Sequence, residues 1–357
     1  MKRILIEEVE AVEKALNEYF DSRIKEVERY GQTHAAFYNN IREYMTRGGK
    51  RLRPALITVG YKAVKEVVEL ERLYRAALSL EILHNGSLLH DDLIDHDETR
   101  RGGPTFHVIY RDWLKANFDT DQSKADDFGM TMAILGGDAL INTGAQMLTS
   151  SELPPKIGMK VLEYYQYGFQ NLVDGVLLEF AMVRDPDTTP DMYLNMVYMK
   201  TAVLFERALM MGAVMANATE SQLEALGEFG RKAGQAFQVQ DDILGSFGEE
   251  AETGKPTDGD IREGKKTMLV VQAFELGTDD QKRQLKELLG KDGMSVAEVE
   301  QVRTIFKESG ALQVSKNIMD ELLAGAHSSL ETAKPPLSSK YKEFLVELSN
   351  FLAKRSY

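Results

Sequence analysis

Apolar residues recur at three- and four-residue steps along nearly the whole chain, and this period limits the fold more than any other feature. Ile6, Val9, Val12, Leu16 and Phe20 form one stripe; Leu73, Ala77, Leu80 and Leu83 form another. Further stripes cover 130–148, 161–180, 192–215, 223–243, 268–276, 299–306 and 312–330. Alternating strand patterns are nearly absent, and the pair Asn85-Gly86 sits inside a helical stripe rather than at a hairpin. Breaks fall at 99–104, 119–127, 152–155, 185–190, 247–259 and 290–293, where turn-forming residues are dense. The expectation is an all-α, single-domain bundle of roughly ten or more helices over residues 1–357, without internal repeats. The acidic, polar stretch at about 117–127 reads as a surface insertion.

Charge narrows the ligand class. With 43 basic and 56 acidic residues the net charge is −13, which argues against a nucleic-acid partner. An anionic ligand is acceptable only where metal ions and local Lys or Arg reverse the sign of the site. Cysteine is absent, so disulfides, thiolate zinc sites and cysteine nucleophiles are excluded, and a reducing cytoplasm fits. No apolar run approaches the ~20 residues of a membrane span. The start, Met1-Lys2-Arg3-Ile4, leads into Glu7 and Glu8 rather than a signal peptide.

Two acidic clusters carry the chemistry. Asp91-Asp92-Leu93-Ile94-Asp95 ends one helical stripe and is followed by Arg100-Arg101-Gly102. Gln238-Val239-Gln240-Asp241-Asp242 ends another, followed by Lys255 and Lys265-Lys266. Carboxylates three or four residues apart share a helix face, and with cations just behind them they suit a hard metal ion that receives a phosphorylated ligand. Two such clusters facing one another would hold a diphosphate through bridging Mg²⁺. Gly48-Gly49-Lys50-Arg51-Leu52-Arg53-Pro54 adds a turn in which Lys50 and Arg53 form an anion clamp, although short basic turns are also common on plain surfaces. His84 shares the helix face of Asp91 and Asp95, about 10 Å away by helical rise, which suits a second anion. Lys200-Thr201 lies within an apolar stripe, where a lysine either snorkels or is paired.

In this order, Gly48–Pro54, then His84 with His90-Asp91-Asp92-Leu93-Ile94-Asp95 and Arg100-Arg101-Gly102, then Lys200-Thr201, then Phe237–Asp242 with Gly254-Lys255 and Gly264-Lys265, the chain resembles the trans-prenyltransferases. These are the head-to-tail isoprenyl diphosphate synthases, and the pattern is most similar to the archaeal-type geranylgeranyl diphosphate synthases. The resemblance implies a helical bundle around a deep central cavity, a homodimer in the cytoplasm, and about three Mg²⁺ ions per active site. It implies that Asp91, Asp95 and Asp241 bind metal, and that Asp91, Asp92, Asp95, Arg100, Lys200, Asp241 and Asp242 form the catalytic set. The allylic diphosphate would be held by Arg100, Lys200, Thr201, Gln238 and Lys255, with Lys265 nearby. Isopentenyl diphosphate would be held by Lys50, Arg53, His84 and Arg101. Ionisation of the allylic C–O bond, attack by the isopentenyl double bond and loss of a proton complete the reaction.

Three features depart from the family pattern. Gly245 stands where many members carry a third Asp of the second cluster. Asp174-Gly175-Val176-Leu177-Leu178-Glu179 resembles a family segment that usually reads Gly-Gln with a later Asp. Val176 replaces the amide and Glu179 the shorter acid, which leaves Glu179 without an assigned role. The 117–127 stretch also has none. Chain length rests on the helix before Asp91. In the family that the chain resembles, aromatics at the positions of Gly86 and Ser87 stop elongation early. Here both residues are small, so the floor is expected lower, at Leu83 or on the helix carrying Tyr164, Tyr165, Tyr167 and Phe169. A C20 product is expected, with C25 or longer, or C15, as alternatives. A class I terpene cyclase has no use for the Lys50, Arg53 and Arg101 set. A non-catalytic partner subunit would be expected to lose some of the Asp ligands.

Overall fold

Helix starts are fixed locally by side-chain caps. Thr219 with Gln222, Thr278 with Gln281 and Ser295 with Glu298 form reciprocal capping boxes. Asp121, Thr189 and Thr267 each accept a hydrogen bond from the amide three residues on. The computed structural model describes residues 1–66, 70–184, 187–248 and 257–353. Its helices are α1 (Lys2–Val27), α2 (Gln32–Thr46), α3 (Leu52–Val64), α4 (Leu70–Ile94), α5 (Phe106–Asn117), α6 (Gln122–Thr149), α7 (Pro155–Arg184) and α8 (Pro190–Val197). They continue with α9 (Val203–Met215), α10 (Glu220–Phe247), α11 (Gly259–Arg262), α12 (Met268–Leu276), α13 (Asp279–Leu288), α14 (Val296–Glu308), α15 (Ala311–Leu330) and α16 (Ser339–Ala353). The strands described are the two-residue pair β1 (Thr99–Arg100) and β2 (Gly103–Pro104), which closes the Arg100-Arg101-Gly102 turn. The all-α expectation holds.

The chain groups into two compact units, Lys2–Tyr165 with Val214–Ala216, and Gln166–Ala213 with Asn217–Tyr357, which also takes in Met1. The first unit buries Val12, Leu16 and Phe20 of α1 with Ile41, Tyr44 and Met45 of α2 and Leu78, Ile82 and Leu89 of α4. In the second unit, Tyr193 and Met196 of α8, Val239 and Ile243 of α10 and the apolar helix α12 share one core with α14 and α15.

Two expectations are corrected. The 117–127 stretch is at the surface, but it is not a loop: Asp121 caps α6, and Gln122–Asp127 forms its first turns. The stripe at 192–215 is not one regular α-helix. Between α8 and α9, Tyr198–Ala202 winds as a π-helix, a wider turn that is frequent at functional sites. Its backbone lies against two glycines: a Cβ on Gly175 of α7 would meet the Lys200 amide nitrogen at 2.6 Å, and one on Gly234 of α10 would meet the Ala202 Cα at 2.7 Å. Close approach of the π turn therefore explains the glycine at 175, the position at which this segment keeps the family pattern.

Candidate active site

In the first unit, the last turn of α4 divides its carboxylates between two tasks. Asp92 is fully buried, and its Oδ2 accepts from the Tyr44 hydroxyl at 2.7 Å while its Oδ1 is paired with the Arg100 guanidinium. Arg100 also reaches Asp97 at 3.4 Å. Burial raises the Asp92 pKa, with Arg100 and the Tyr44 hydroxyl opposing. Asp91, on the adjacent position, is half-buried, and Asp95 is exposed one turn later. These two therefore offer hard oxygen donors, and Asp92 braces them.

The basic residues expected to clamp an anion lie in the same unit. Arg51 takes a left-handed backbone conformation (φ 48°), which turns its side chain inward to Glu81 Oε1 at 2.6 Å and the Met45 carbonyl at 2.7 Å. Lys50 and Arg53, on either side, remain at least partly exposed. Arg101 (φ 51°) donates to the Gly48 carbonyl at 2.9 Å, so the two glycine-containing turns meet. A Cβ on Gly49 would lie 3.3 Å from the Arg101 guanidinium carbon, tighter than an ordinary contact. His84 stands among these cations. Burial, with Arg53, Arg101, Arg100 and Arg51 around it, holds its imidazole well below the ordinary value. Burial also pushes Arg53 down to about 10, with Arg101 adding to the effect and Glu81 opposing it. Of the expected set, Arg53, His84 and Arg101 are thus brought together, with Lys50 exposed next to Arg51 in the chain, and such a focus of positive charge attracts an anion.

In the second unit, the π turn and α10 are bonded through side chains. The Thr201 hydroxyl donates to Gln238 Oε1 at 3.1 Å, and Gln238 Nε2 donates to Asp242 Oδ1 at 2.9 Å. The buried Tyr193 hydroxyl donates to Asp242 Oδ2 at 2.5 Å. Thr201 and Gln238, expected to touch substrate, therefore also satisfy one another. Burial, with Asp260 and Asp241 nearby, pushes Asp242 up to about 7. Lys200 Nζ pairs with Glu179 Oε2 at 2.5 Å, which gives Glu179 a role the sequence alone did not supply. Lys265 pairs with Glu263 at 2.8 Å and Asp260 at 3.7 Å. Over Gly245, Asp260 takes up side-chain space: a Cβ there would meet Asp260 Oδ2 at 2.6 Å. Lys255 lies outside the described residues.

Among the described residues, no three His, Asp or Glu side chains gather into a ready metal cage. The available donors still fit Mg²⁺, which keeps several waters and takes substrate phosphate oxygens beside one or two carboxylates.

Of the chain-length candidates, Leu83 is fully buried and Ser87 donates to the His84 carbonyl at 2.8 Å. Gly86 points at α6: a Cβ there would stand 3.0 Å from the Gly137 carbonyl oxygen and 3.0 Å from Leu140 Cβ. Its small size serves helix packing, a reading the sequence did not offer. Tyr44, Tyr193, Glu81 and Asp260 were also missed. The available signal for Tyr193 was a hydroxyl inside the apolar stripe at 192–215, since a buried Tyr needs a partner.

Residues 34–306 match the family model described as polyprenyl synthetase. The chain belongs to the polyprenyl synthetase family. A geranylgeranyl diphosphate synthase from Sulfolobus acidocaldarius is 33% identical, with 85% of this chain and 87% of that protein covered. A geranylfarnesyl diphosphate synthase from Aeropyrum pernix is 33% identical over 86% of this chain and 91% of its own length. Among solved structures, the geranylgeranyl pyrophosphate synthase of Corynebacterium glutamicum, complexed with isoprenyl diphosphate and magnesium, matches with a TM-score of 0.89. That pair is 27% identical, with 97% and 98% of the two chains covered. As a polyprenyl synthetase, the chain has the isoprenoid synthase fold.

Proposed function

We propose that this chain is a prenyltransferase that joins isopentenyl diphosphate head-to-tail to an allylic diphosphate, with geranylgeranyl diphosphate (C20) as product. The observation that carries this reading lies in the first unit: Asp91 in the last turn of α4 and Asp95 just past its end stand at one end, and two turns before Asp91 His84 stands among Arg53 and Arg101. One helix thus serves a metal-bound diphosphate and a second anion. Two diphosphates are what this condensation requires and what a terpene cyclase lacks. Family membership and the geranylgeranyl diphosphate synthases among the relatives support the reading. The family model runs through both units, which supports one prenyl synthase domain over 1–357.

Asp91, Asp95 and Asp241 are the proposed ligands of about three Mg²⁺ ions. When bound, these supply positive charge to the departing diphosphate. Lys200, Arg100, Thr201 and Gln238 donate hydrogen bonds to the allylic diphosphate, with Lys255 and Lys265 beside them. Their positive charge and oriented donors favour the state in which the allylic C–O bond has opened. Lys50, Arg53, His84 and Arg101 hold isopentenyl diphosphate so that its double bond meets the allylic cation. A C–C bond forms, a C–O bond breaks, and the proton leaves to the released diphosphate. No side-chain nucleophile takes part. Exposed apolar side chains on α6 (Met130, Ile134, Leu135) and on α7 (Leu177, Phe180) support a homodimer, which we place in the cytoplasm. No helix among the described residues is long and apolar enough to cross a membrane.

Incubating the protein with Mg²⁺, labelled isopentenyl diphosphate and C5, C10 or C15 primers, then sizing the dephosphorylated products, tests this. A C20 alcohol supports the reading. Products of C25 favour the second reading, which the Aeropyrum relative supports. No elongation by folded protein sinks the enzyme assignment.

A further inference from the structure

Each acidic pair has a tyrosine behind its second member. Tyr44 of α2 donates to Asp92 at 2.7 Å, and Tyr193 of α8 donates to Asp242 at 2.5 Å. All four residues are buried, both tyrosines to within 2% of complete burial. Each tyrosine comes from a helix that carries no other residue of the expected site. The second oxygen of each carboxylate is also taken, by Arg100 for Asp92 and by Gln238 for Asp242. A buried carboxylate with both oxygens bonded to protein donors is fixed in orientation, and it fixes the helix turn that carries its neighbour.

We propose that Tyr44 and Tyr193 are positioning residues for metal binding: each clamps the second Asp of its pair and thereby sets the direction in which Asp91 or Asp241 presents its carboxylate. This rests on the proposed metal-dependent prenyl transfer and adds to it two residues that touch neither metal nor substrate. The two clamps differ in charge. Asp92 is balanced by the Arg100 cation, whereas, among the described residues, the hydrogen-bond donors to Asp242 are the neutral Tyr193 and Gln238. Beside it stand Asp241 and Asp260, so the second clamp works against greater repulsion. Loss of the Tyr193 hydroxyl therefore weakens metal binding more than loss of the Tyr44 hydroxyl. Groups that orient metal ligands from behind typically matter by 10–100-fold in affinity.

The test is Mn²⁺ binding to full-length protein in the presence of inorganic diphosphate, followed by electron paramagnetic resonance, with thermal unfolding as the check on folding. Tyr193→Phe is expected to weaken Mn²⁺ binding about tenfold, and Tyr44→Phe by several-fold. Tyr110→Phe, which removes a buried hydroxyl bonded to Asn40 in the same unit, is expected to leave it unchanged. In Mg²⁺ titrations of prenyl transfer, the half-saturating concentration rises in both variants while the rate at saturating Mg²⁺ largely recovers. A merely structural role would not produce that split. Asp242→Asn keeps the ring packing, so it carries the test should Tyr193→Phe fail to fold. It is expected to lose about tenfold, less than Asp241→Asn, and Tyr193→Phe/Asp242→Asn should be no weaker than Asp242→Asn alone. Wild-type Mn²⁺ affinity in Tyr44→Phe and Tyr193→Phe, or equal losses in Asp241→Asn and Asp242→Asn, overturns the proposal while leaving prenyl transfer standing. A wild-type protein that neither binds Mn²⁺ with diphosphate nor elongates a primer removes the functional reading, and this one with it.

Discussion

Lys200 Nζ and Glu179 Oε2 lie 2.5 Å apart, each side chain about three-quarters buried (28% and 26% exposed). The lysine proposed to hold the allylic diphosphate therefore already has an anionic partner, and substrate must compete with it. A charge-assisted bond of this kind is worth about 1.5–3 kcal/mol, less where water reaches it. Glu179→Gln removes the competitor while keeping the shape. It is expected to tighten inorganic diphosphate binding about fivefold, whereas Lys200→Ala weakens it at least tenfold. Calorimetric titration with Mg²⁺ present decides; weaker binding by Glu179→Gln would show that Glu179 holds Lys200 in place for the substrate.

Glu179 also shows where the sequence runs out. The helical period located α1, α4, α6, α7, α10, α12, α14 and α15 and merged α8 with α9, because burying one face of a helix needs only spacing. Outside the stripes lay α2, α3, α5, α11, α13 and α16. That the basic turns at 48–54 and 100–102 are candidates for one anion was legible for a similar reason, since glycine turns and cations announce an anion. Partnerships across helices were not legible. Nothing in the spacing of residues 174–179 indicates that the backbone of a π turn rests on Gly175 or that Lys200 reaches Glu179. Similarly, Gly86 reads equally well as an opened cavity wall or as a packing site until α6 is seen against it.

The buried pair Arg51–Glu81, 0% and 4% exposed, supports the clamp from beneath. Removing Glu81 leaves the buried Arg51 with its longer ion pair to Glu13 at 3.6 Å. The cost therefore falls at the low end of the ~3–5 kcal/mol typical of a broken buried pair, about 3 kcal/mol. Glu81→Ala is accordingly expected to lower the unfolding free energy by about that amount in urea titrations. Arg51→Met/Glu81→Leu should recover most of it, because the charge that demands a partner is gone. A cost below about 1 kcal/mol for Glu81→Ala would mean that water reaches Arg51.

His84 gives the stability a defined pH dependence. Its folded value lies well below the ordinary 6.5, through burial and the four arginines. Above pH 6.5 the imidazole is neutral in both states and stability is complete. As pH falls below that value, the unfolded chain takes up the proton first, and stability declines by up to about 1.4 kcal/mol per unit until the folded value is reached. Urea midpoints between pH 7.5 and 5 should therefore fall more steeply for the wild type than for His84→Asn. Parallel curves would place His84 in contact with enough water to titrate normally.

Gly86 and Ser87 separate packing from chain length. A methyl group on Gly86 would meet the Gly137 carbonyl oxygen and Leu140 Cβ at 3.0 Å. The helix preference for alanine returns up to ~1 kcal/mol, and overpacking costs ~1–3, so Gly86→Ala is expected to destabilise by about 1 kcal/mol. Because that methyl group enters the α4–α6 contact, product length should not change. Ser87 is only half-buried, one turn (~6 Å) before Asp91 on the half of α4 that leads toward the acidic end. In the proposed reaction the product grows along α4 away from Asp91, and an aromatic ring at Ser87 stands in its way, so Ser87→Phe is expected to shift the product from C20 toward C15. Product sizing of both variants beside the wild type reads the two effects independently. Shortened products from Gly86→Ala, with C20 retained by Ser87→Phe, would exchange the roles assigned to these neighbours.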